Sequence, residues 1–230
     1  MSNDPPRYCA LATDFDGTLA HAGHVPEEAL EGLQRLRAAG WHVLLVTGRE
    51  IEDLSRIFSH FDLFDIVVAE DGALIYWPAD QIIQCLTEPP PPAFVERLCQ
   101  RGVGPISVGH SIVATWEPHE ATVLDTIREM GLDLHIIFNK GAVMILPTGV
   151  NKAFGLEAAL QQLAITPGSV VGVGDAENDH AFLELCGFSA AVANAIPAIV
   201  ERADFVTQHG RGEGVAELID HLLSPQPAHS

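Results

Sequence analysis

No uninterrupted apolar run in this chain reaches the ~18 to 20 residues that a membrane span needs. Its opening segment, MSNDPPRY, has neither the basic start nor the apolar stretch of a signal peptide, so a cytoplasmic location is expected. Cysteine is scarce. Cys9, Cys85, Cys99 and Cys186 form no CxxC pair, and Cys9 and Cys186 lie in or beside apolar segments, which reads as reduced thiols. The 11 histidines include no HExxH and no Cys/His cluster, which disfavours a zinc site. Positive charge is also short: 12 Lys and Arg face 31 Asp and Glu, a formal net charge of −19. A nucleic-acid binder needs a basic face, so nucleic acid is not expected as a partner. There is no GxxxxGK, and Gly172-Val173-Gly174 lacks the third glycine of a dinucleotide fingerprint. No internal repeat is present, and low complexity is confined to Pro89–Pro92 and the terminal SPQPAHS.

What is present is core-forming material. Hydrophobic residues make up 47% of 230, enough for one large domain or for a core with a modest insertion. Apolar runs at 8–14, 41–47 and 65–70 alternate with helical patterns at about 26–39 and 51–58, where Leu30, Leu33 and Leu36 share one face. That alternation predicts an α/β fold with a Rossmann-like parallel sheet. The pattern changes near Trp77. Residues 78–146 read as strand (81–86), helix (92–101), strand (106–115), helix (119–130) and a hairpin of strands 134–138 and 142–146 turning at Asn139-Lys140-Gly141. This block is expected to be a small α+β insertion, with 1–77 and 147–230 forming the core. The parallel pattern resumes with a helix at 152–163, a strand at 169–175, a helix at 179–185, short strands at 188–192 and 204–206, and a closing helix at 214–223.

Three of the apolar runs end in polar residues, Asp14, Thr47 and Asp175. In an open α/β sheet ligands bind beyond the carboxyl ends of the strands, so these residues are expected at one edge. Asp14-Phe15-Asp16-Gly17-Thr18 puts two carboxylates two residues apart, and Asp175 and Asp179 add two more four apart. A like-charged pair at ~4 Å repels by about 4 kcal/mol at an effective dielectric of 20. Such a cluster calls for a cation, and hard oxygen ligands suit Mg²⁺, which keeps positions for water and a substrate phosphate. The bland alternative is ordinary helix-capping aspartates. The acidic balance does not forbid a phosphorylated ligand, since surface charge is screened beyond roughly 8 Å at physiological salt.

The segments DFDGT, Thr47-Gly48-Arg49, VNKAFGLEAAL with Lys152, and GDAENDHAFL resemble, in order, the four motifs of the haloacid dehalogenase superfamily. The insertion between the second and third resembles the α/β cap of subtype IIB. The resemblance implies a Mg²⁺-dependent phosphatase acting on a small phosphorylated metabolite, a sugar phosphate or phospho-acid. It implies that Asp14 attacks phosphorus and forms an aspartyl-phosphate, and that Asp16 protonates the leaving group and then activates water. Thr47 and the Gly48 backbone N–H would hold phosphoryl oxygens, with Arg49 and Asn178 also counted as phosphate-binding candidates. Lys152 would pair with Asp14 and the phosphoryl group. Asp14, Asp16 (through its carbonyl) and Asp175 would hold the metal, with Asp179 in or beside its shell. A phosphomutase, or a phosphate-binding regulatory module with weak turnover, are the alternatives. Dehalogenation is disfavoured because Asp16 supplies an acid/base it does not need.

One position departs from the family pattern. Many relatives carry Asn-Gly after the third strand, whereas this chain has Asp71-Gly72. Asp71 either adds negative charge near the phosphate or serves only as a turn residue. His21 and His24 read as exposed loop residues. Trp116, His110 and Lys140, in the insertion, are assigned to packing or solvent exposure ahead of substrate contact.

Overall fold

A computed structural model describes residues 8–224. The signal-peptide reading of the first residues and most of the proline-containing tail lie outside them. Among the described residues no helix is long and apolar enough to cross a membrane.

The chain forms, in order, β1 (Ala10–Asp14), α1 (Glu27–Ala38), β2 (His42–Val46), α2 (Ile51–Ile57), β3 (Ile66–Ala69), β4 (Leu74–Trp77), β5 (Ile82–Cys85), α3 (Pro92–Gln100), β6 (Ser107–Val108), β7 (Val113–Trp116), α4 (Glu120–Met130), β8 (Leu134–Asn139), β9 (Ala142–Pro147), α5 (Lys152–Gln162), β10 (Val170–Gly174), α6 (His180–Leu185), β11 (Phe188–Ala191), α7 (Pro197–Val200), β12 (Phe205–Val206) and α8 (Arg211–Leu223). The larger sheet has the order β12-β11-β10-β1-β2-β3-β4-β5. Its first six strands run parallel, and β4 and β5 extend it antiparallel.

Helices cover both faces, which explains why the central strands are apolar throughout. Along β1 and β2, Leu11, Val43 and Leu45 pack on one side with Leu33 and Leu36 of α1, Leu54 of α2 and Leu218 of α8. Ala10, Ala12, Leu44 and Val46 pack on the other with Leu156 and Leu160 of α5 and Phe182 of α6. Each fully buried leucine contributes about 1.5–3 kcal/mol. This two-sided burial fixes the sheet's carboxyl edge, and with it the ends of β1, β2 and β10.

The second sheet, β6-β7-β9-β8, is antiparallel. One face packs on α3 and α4 through Phe94, Leu98, Val113, Val123, Ile127 and Ile145. The other faces the carboxyl edge of the large sheet, and Ala73, Ile112, Met144, Leu146 and Val150 form an apolar contact between the two.

Two expectations about the insertion change. The strand placed at 81–86 belongs to the large sheet, where β5 pairs with β4 along Leu74↔Cys85 to Trp77↔Ile82. The strand expected at 106–115 is broken into β6 and β7. The break is a hairpin turn held by Glu70, whose fully buried carboxylate accepts the backbone N–H groups of His110 (2.8 Å), Ser111 (2.7 Å) and Ile112 (3.0 Å). These donors belong to the turn of an antiparallel β6–β7 hairpin, closed by Gly109 N–H on the Ile112 carbonyl at 2.9 Å, and the carboxylate satisfies them where no ladder partner exists. The four cysteines are free, with Cys85 and Cys99 exposed.

Candidate active site

β1 ends at Asp14, β2 runs into Thr47, and β10 runs into Asp175, so three adjacent parallel strands deliver these residues to one edge. The start of α5 supplies Lys152, fixed by Asn151, whose side chain accepts the Phe154 N–H at 3.0 Å as an N-cap. α5 reaches this position because two backbones cross without side chains. A Cβ on Gly72 would fall on the Asn151 carbonyl, and one on Gly155 would lie 2.5 Å from the Gly72 Cα. Gly72 also needs its φ of 101°, open to few other residues.

Lys152 is 1% exposed, and its Nζ donates to Asp14 Oδ1 and Asp179 Oδ1, both at 2.6 Å. The Phe182 ring centroid lies 5.8 Å from the same nitrogen. Burial alone would lower this ammonium's pKa. The charges of Asp14, Asp179 and Asp71 outweigh burial and hold it above the usual lysine range. The other oxygen of Asp179 accepts the N–H groups of Asp175 (2.8 Å) and Ala176 (2.9 Å). Asp179 therefore spans the buried lysine and the loop after β10, with both oxygens engaged.

Oxygens of Asp14, Asp175 and Asp179 lie within 4.8 Å of one another. Burial, then repulsion from Asp179, pushes the Asp14 carboxyl up to about 8 against the pull of Lys152. Burial also raises Asp175, opposed by Lys140. Three buried carboxylates against one buried ammonium form a hard, net negative donor set, which fits a divalent cation such as Mg²⁺. Thr18 Oγ1 donates to Asp175 Oδ1 at 3.1 Å, and Asn194 Nδ2 donates to the Gly17 carbonyl at 2.8 Å, so both loops are pinned.

Asp16 turns its carboxylate to Arg49, which grips it through Nε at 2.6 Å and Nη2 at 2.9 Å. Arg49 also pairs with Asp53. The hydrogen bond to Asp16 raises the guanidinium's pKa. Thr47, buried, accepts the Arg49 N–H at 3.1 Å. The 70–72 turn is stitched to this loop by Glu70 N–H to the Arg49 carbonyl (3.0 Å) and Asp71 N–H to the Thr47 carbonyl (3.1 Å). Asp71 is thus no mere turn residue. It is fully buried, accepts from Asn178 Nδ2 at 2.9 Å, and sits where a Cβ on Gly48 would lie 3.3 Å from its Oδ1. Burial pushes its carboxyl up to about 6.

Lys140 is the residue that local sequence misplaces. From the β8–β9 turn its Nζ donates to the Asp16 carbonyl at 2.7 Å and to Asp175 Oδ2 at 2.8 Å. Gly17 makes room, since a Cβ there would lie 2.5 Å from both Lys140 Nζ and Asp175 Oδ2. The two oxygens converge on one cation-sized point. Above them opens a cavity of about 480 Å³, lined by Asp14, Asp16, Gly48 and Arg49 on one side and by Ala114, Trp116 and Met144 among those on the other. His110 reaches Glu52 at 2.8 Å and does not line the cavity. His21 and His24 lie on the loop after β1, bonded to each other through their backbones.

A parallel α/β sheet with clustered carboxylates at its carboxyl edge and a roofing α+β insertion defines a class of hydrolytic and group-transfer enzymes. The sequence pattern of haloacid dehalogenase-like hydrolases matches residues 11–100 and 119–219, and the chain belongs to that family. It is 30% identical over 224 residues to a phosphoglycolate phosphatase of Methanothermobacter thermautotrophicus, covering 93% of this chain and 98% of that one. The fold is shared with a solved protein of Thermoplasma acidophilum (TM-score 0.81, 20% identity, 94% of this chain and 99% of that one). It is also shared with a sugar phosphatase of subclass IIB (TM-score 0.75, 19% identity, 92% of this chain and 98% of that one).

Proposed function

We propose that this chain is a Mg²⁺-dependent phosphatase that hydrolyses a small phosphate monoester, of the phospho-acid class, through an aspartyl-phosphate on Asp14. The observation that carries the reading is Asp14 itself: a carboxylate at the end of β1, on the wall of the cavity, with one oxygen held by the buried Lys152. The kinship with phosphoglycolate phosphatases supports the substrate class.

An oxygen of Asp14 attacks phosphorus as the bond to the ester oxygen breaks, and Asp16 gives that oxygen a proton. Water then attacks the acyl phosphate, passing its proton to Asp16 and releasing phosphate. Splitting the hydrolysis into two displacements lowers each barrier. Asp16 is held by Arg49 before substrate arrives. A phosphate dianion offers Arg49 another bidentate partner and so releases Asp16 for proton transfer. Thr47 and the Gly48 N–H receive phosphoryl oxygens, and Lys152 balances the charge that develops on them. Asn178, tied to Asp71, borders the same loop. Asp14, the Asp16 carbonyl and Asp175 would hold Mg²⁺, which supplies further positive charge to the transferring group. Asp179, with both oxygens committed, positions Lys152 and the β10 loop. The α+β insertion acts as the cap that shapes substrate choice.

Intact-protein mass spectrometry after mixing with a nitrophenyl phosphate tests this reading. Asp14→Asn should form no phosphoenzyme, since an amide is a poor nucleophile. Asp16→Asn should accumulate one, because the good leaving group departs unaided while water lacks its base. A phosphorylated Asp14→Asn protein would overturn the assignment.

A further inference from the structure

We propose that Lys140 is the specificity-determining residue of the cap, and that it pairs with a carboxylate of the substrate placed one carbon from the phosphate ester. The inference rests on the phosphatase reading above and names the group that the cap selects.

Three observations carry it. Lys140 is the only charged residue that the insertion contributes to the cavity lining among the described residues, and its neighbours there include Ala114, Trp116, Asn139, Ala142 and Met144. The side chain is presented from a tight turn, with Lys140 at φ 49° and Gly141 at φ 85°, so its root is fixed while its four-carbon stem is free to swing. Its ammonium already lies at the catalytic loop, on the Asp16 carbonyl and Asp175.

Those two oxygens are among the ligands proposed above for Mg²⁺, Asp175 through its place in the carboxylate cluster and Asp16 through its carbonyl. An ammonium and a divalent ion cannot share them, because two cations a few ångströms apart repel strongly in a partly buried site. Metal loading therefore displaces the Lys140 ammonium into the cavity that its side chain already lines. The carboxylates there are engaged: Asp53 with Arg49, and Glu50 with Ser107 Oγ. The sheet face above is mostly apolar and offers the ammonium little. An acidic group on the substrate supplies the missing partner. Because Lys140 starts beside Asp16, the matching carboxylate is close to the ester oxygen, as in a two-carbon phospho-acid. A longer substrate would carry its acid past the lysine's reach.

The test compares wild type, Lys140→Met and Lys140→Arg on three esters of similar size: 2-phosphoglycolate, ethyl phosphate and O-phosphoethanolamine. Methionine keeps length and removes charge, at a position whose backbone strain is the same for both residues. The ratio of kcat/KM for 2-phosphoglycolate over ethyl phosphate should fall about 10- to 100-fold in Lys140→Met, as expected for a lost charge-assisted hydrogen bond, and mainly through KM. Lys140→Arg should restore part of it, and Lys140→Met should gain on O-phosphoethanolamine relative to ethyl phosphate. Calorimetric titration of Mg²⁺ without substrate gives an independent readout. Removing the internal competitor should tighten Mg²⁺ binding by about two- to fivefold. An unchanged substrate ratio would overturn the specificity role, and unchanged Mg²⁺ affinity would overturn the displacement. A wild-type protein that hydrolyses none of the esters would instead sink the phosphatase reading beneath both.

Discussion

Two lysines serve the same carboxylate cluster from different parts of the fold. Lys152 is rooted in the first turn of α5, is 1% exposed, and bridges Asp14 and Asp179. Lys140 hangs from a hairpin tip of the other sheet, with 46% of its side chain exposed, and bridges Asp16 and Asp175. The charge is identical, so the setting must make the difference. A buried ammonium among buried carboxylates is part of the fold, because removing it strands anions in a low dielectric. A half-exposed ammonium on a flexible stem is a movable part whose absence water can largely compensate.

The sharpest way to break this comparison is to remove each charge in turn. Lys152→Met should lower kcat at least 10³-fold and destabilise the protein by about 3–5 kcal/mol, since Asp14 and Asp179 lose their buried partner. The same change at Lys140 should alter stability by under about 0.5 kcal/mol. Urea unfolding of both variants, with phosphate release for the first, checks the pair. Equal stability losses would erase the distinction.

Asp71 sharpens it from the anionic side, as a buried carboxylate in reach of only one of the lysines. Burial pushes its folded pKa up to about 6, above the ordinary aspartate value of 3.8. The folded state thus binds this proton more tightly than the unfolded chain does. The resulting stabilisation is complete below about pH 4 and is lost as pH rises through about 6. Asp71→Asn should therefore raise stability at pH 8 by on the order of 3 kcal/mol and change little at pH 4. Unfolding curves at the two pH values decide it, and a gain at pH 4 as large as at pH 8 would refute the ionisation argument.

A smaller effect than at Asp71 is expected at the joint between the regions that carry the two lysines. Glu70→Gln replaces a carboxylate that accepts three backbone N–H groups with an amide that retains one acceptor oxygen. A loss of about 1–3 kcal/mol is expected, with faster hydrogen exchange at residues 110–112. Unaltered exchange there would show that Glu70 does not hold this loop.

The same contrast explains what could be read from the chain. Asp14, Thr47 and Asp175 were legible because each ends an apolar strand, a local signal, whereas Lys152 was named only through the resemblance of VNKAFGLEAAL to a family motif. Lys140 was not legible. Asn139-Lys140-Gly141 announces a turn, but nothing nearby in sequence states that the turn points at Asp16, 124 residues away. Arg49 was placed on the phosphate, and its grip on Asp16 and Asp53 shows only in three dimensions. The placement of β5 failed for a related reason. Ile82, Ile83, Gln84 and Cys85 are all exposed, so no alternation indicates which sheet they join. The break within 106–115 had a local sign in Gly109, but the residue that holds the turn, Glu70, lies some 40 residues upstream.

That clasp carries an evolutionary consequence. Glu70 grips the loop through main-chain N–H groups alone, so it is blind to which side chains residues 110, 111 and 112 carry. Gly109 is constrained by the grip itself, because a Cβ there would lie 2.7 Å from Glu70 Oε1, while Ser111 and Ile112 are buried by contacts of their own, Ser111 Oγ on the Thr87 carbonyl and Ile112 in the apolar joint between the sheets. A lineage could therefore change the exposed position 110 while the attachment of this loop to the large sheet is inherited unchanged.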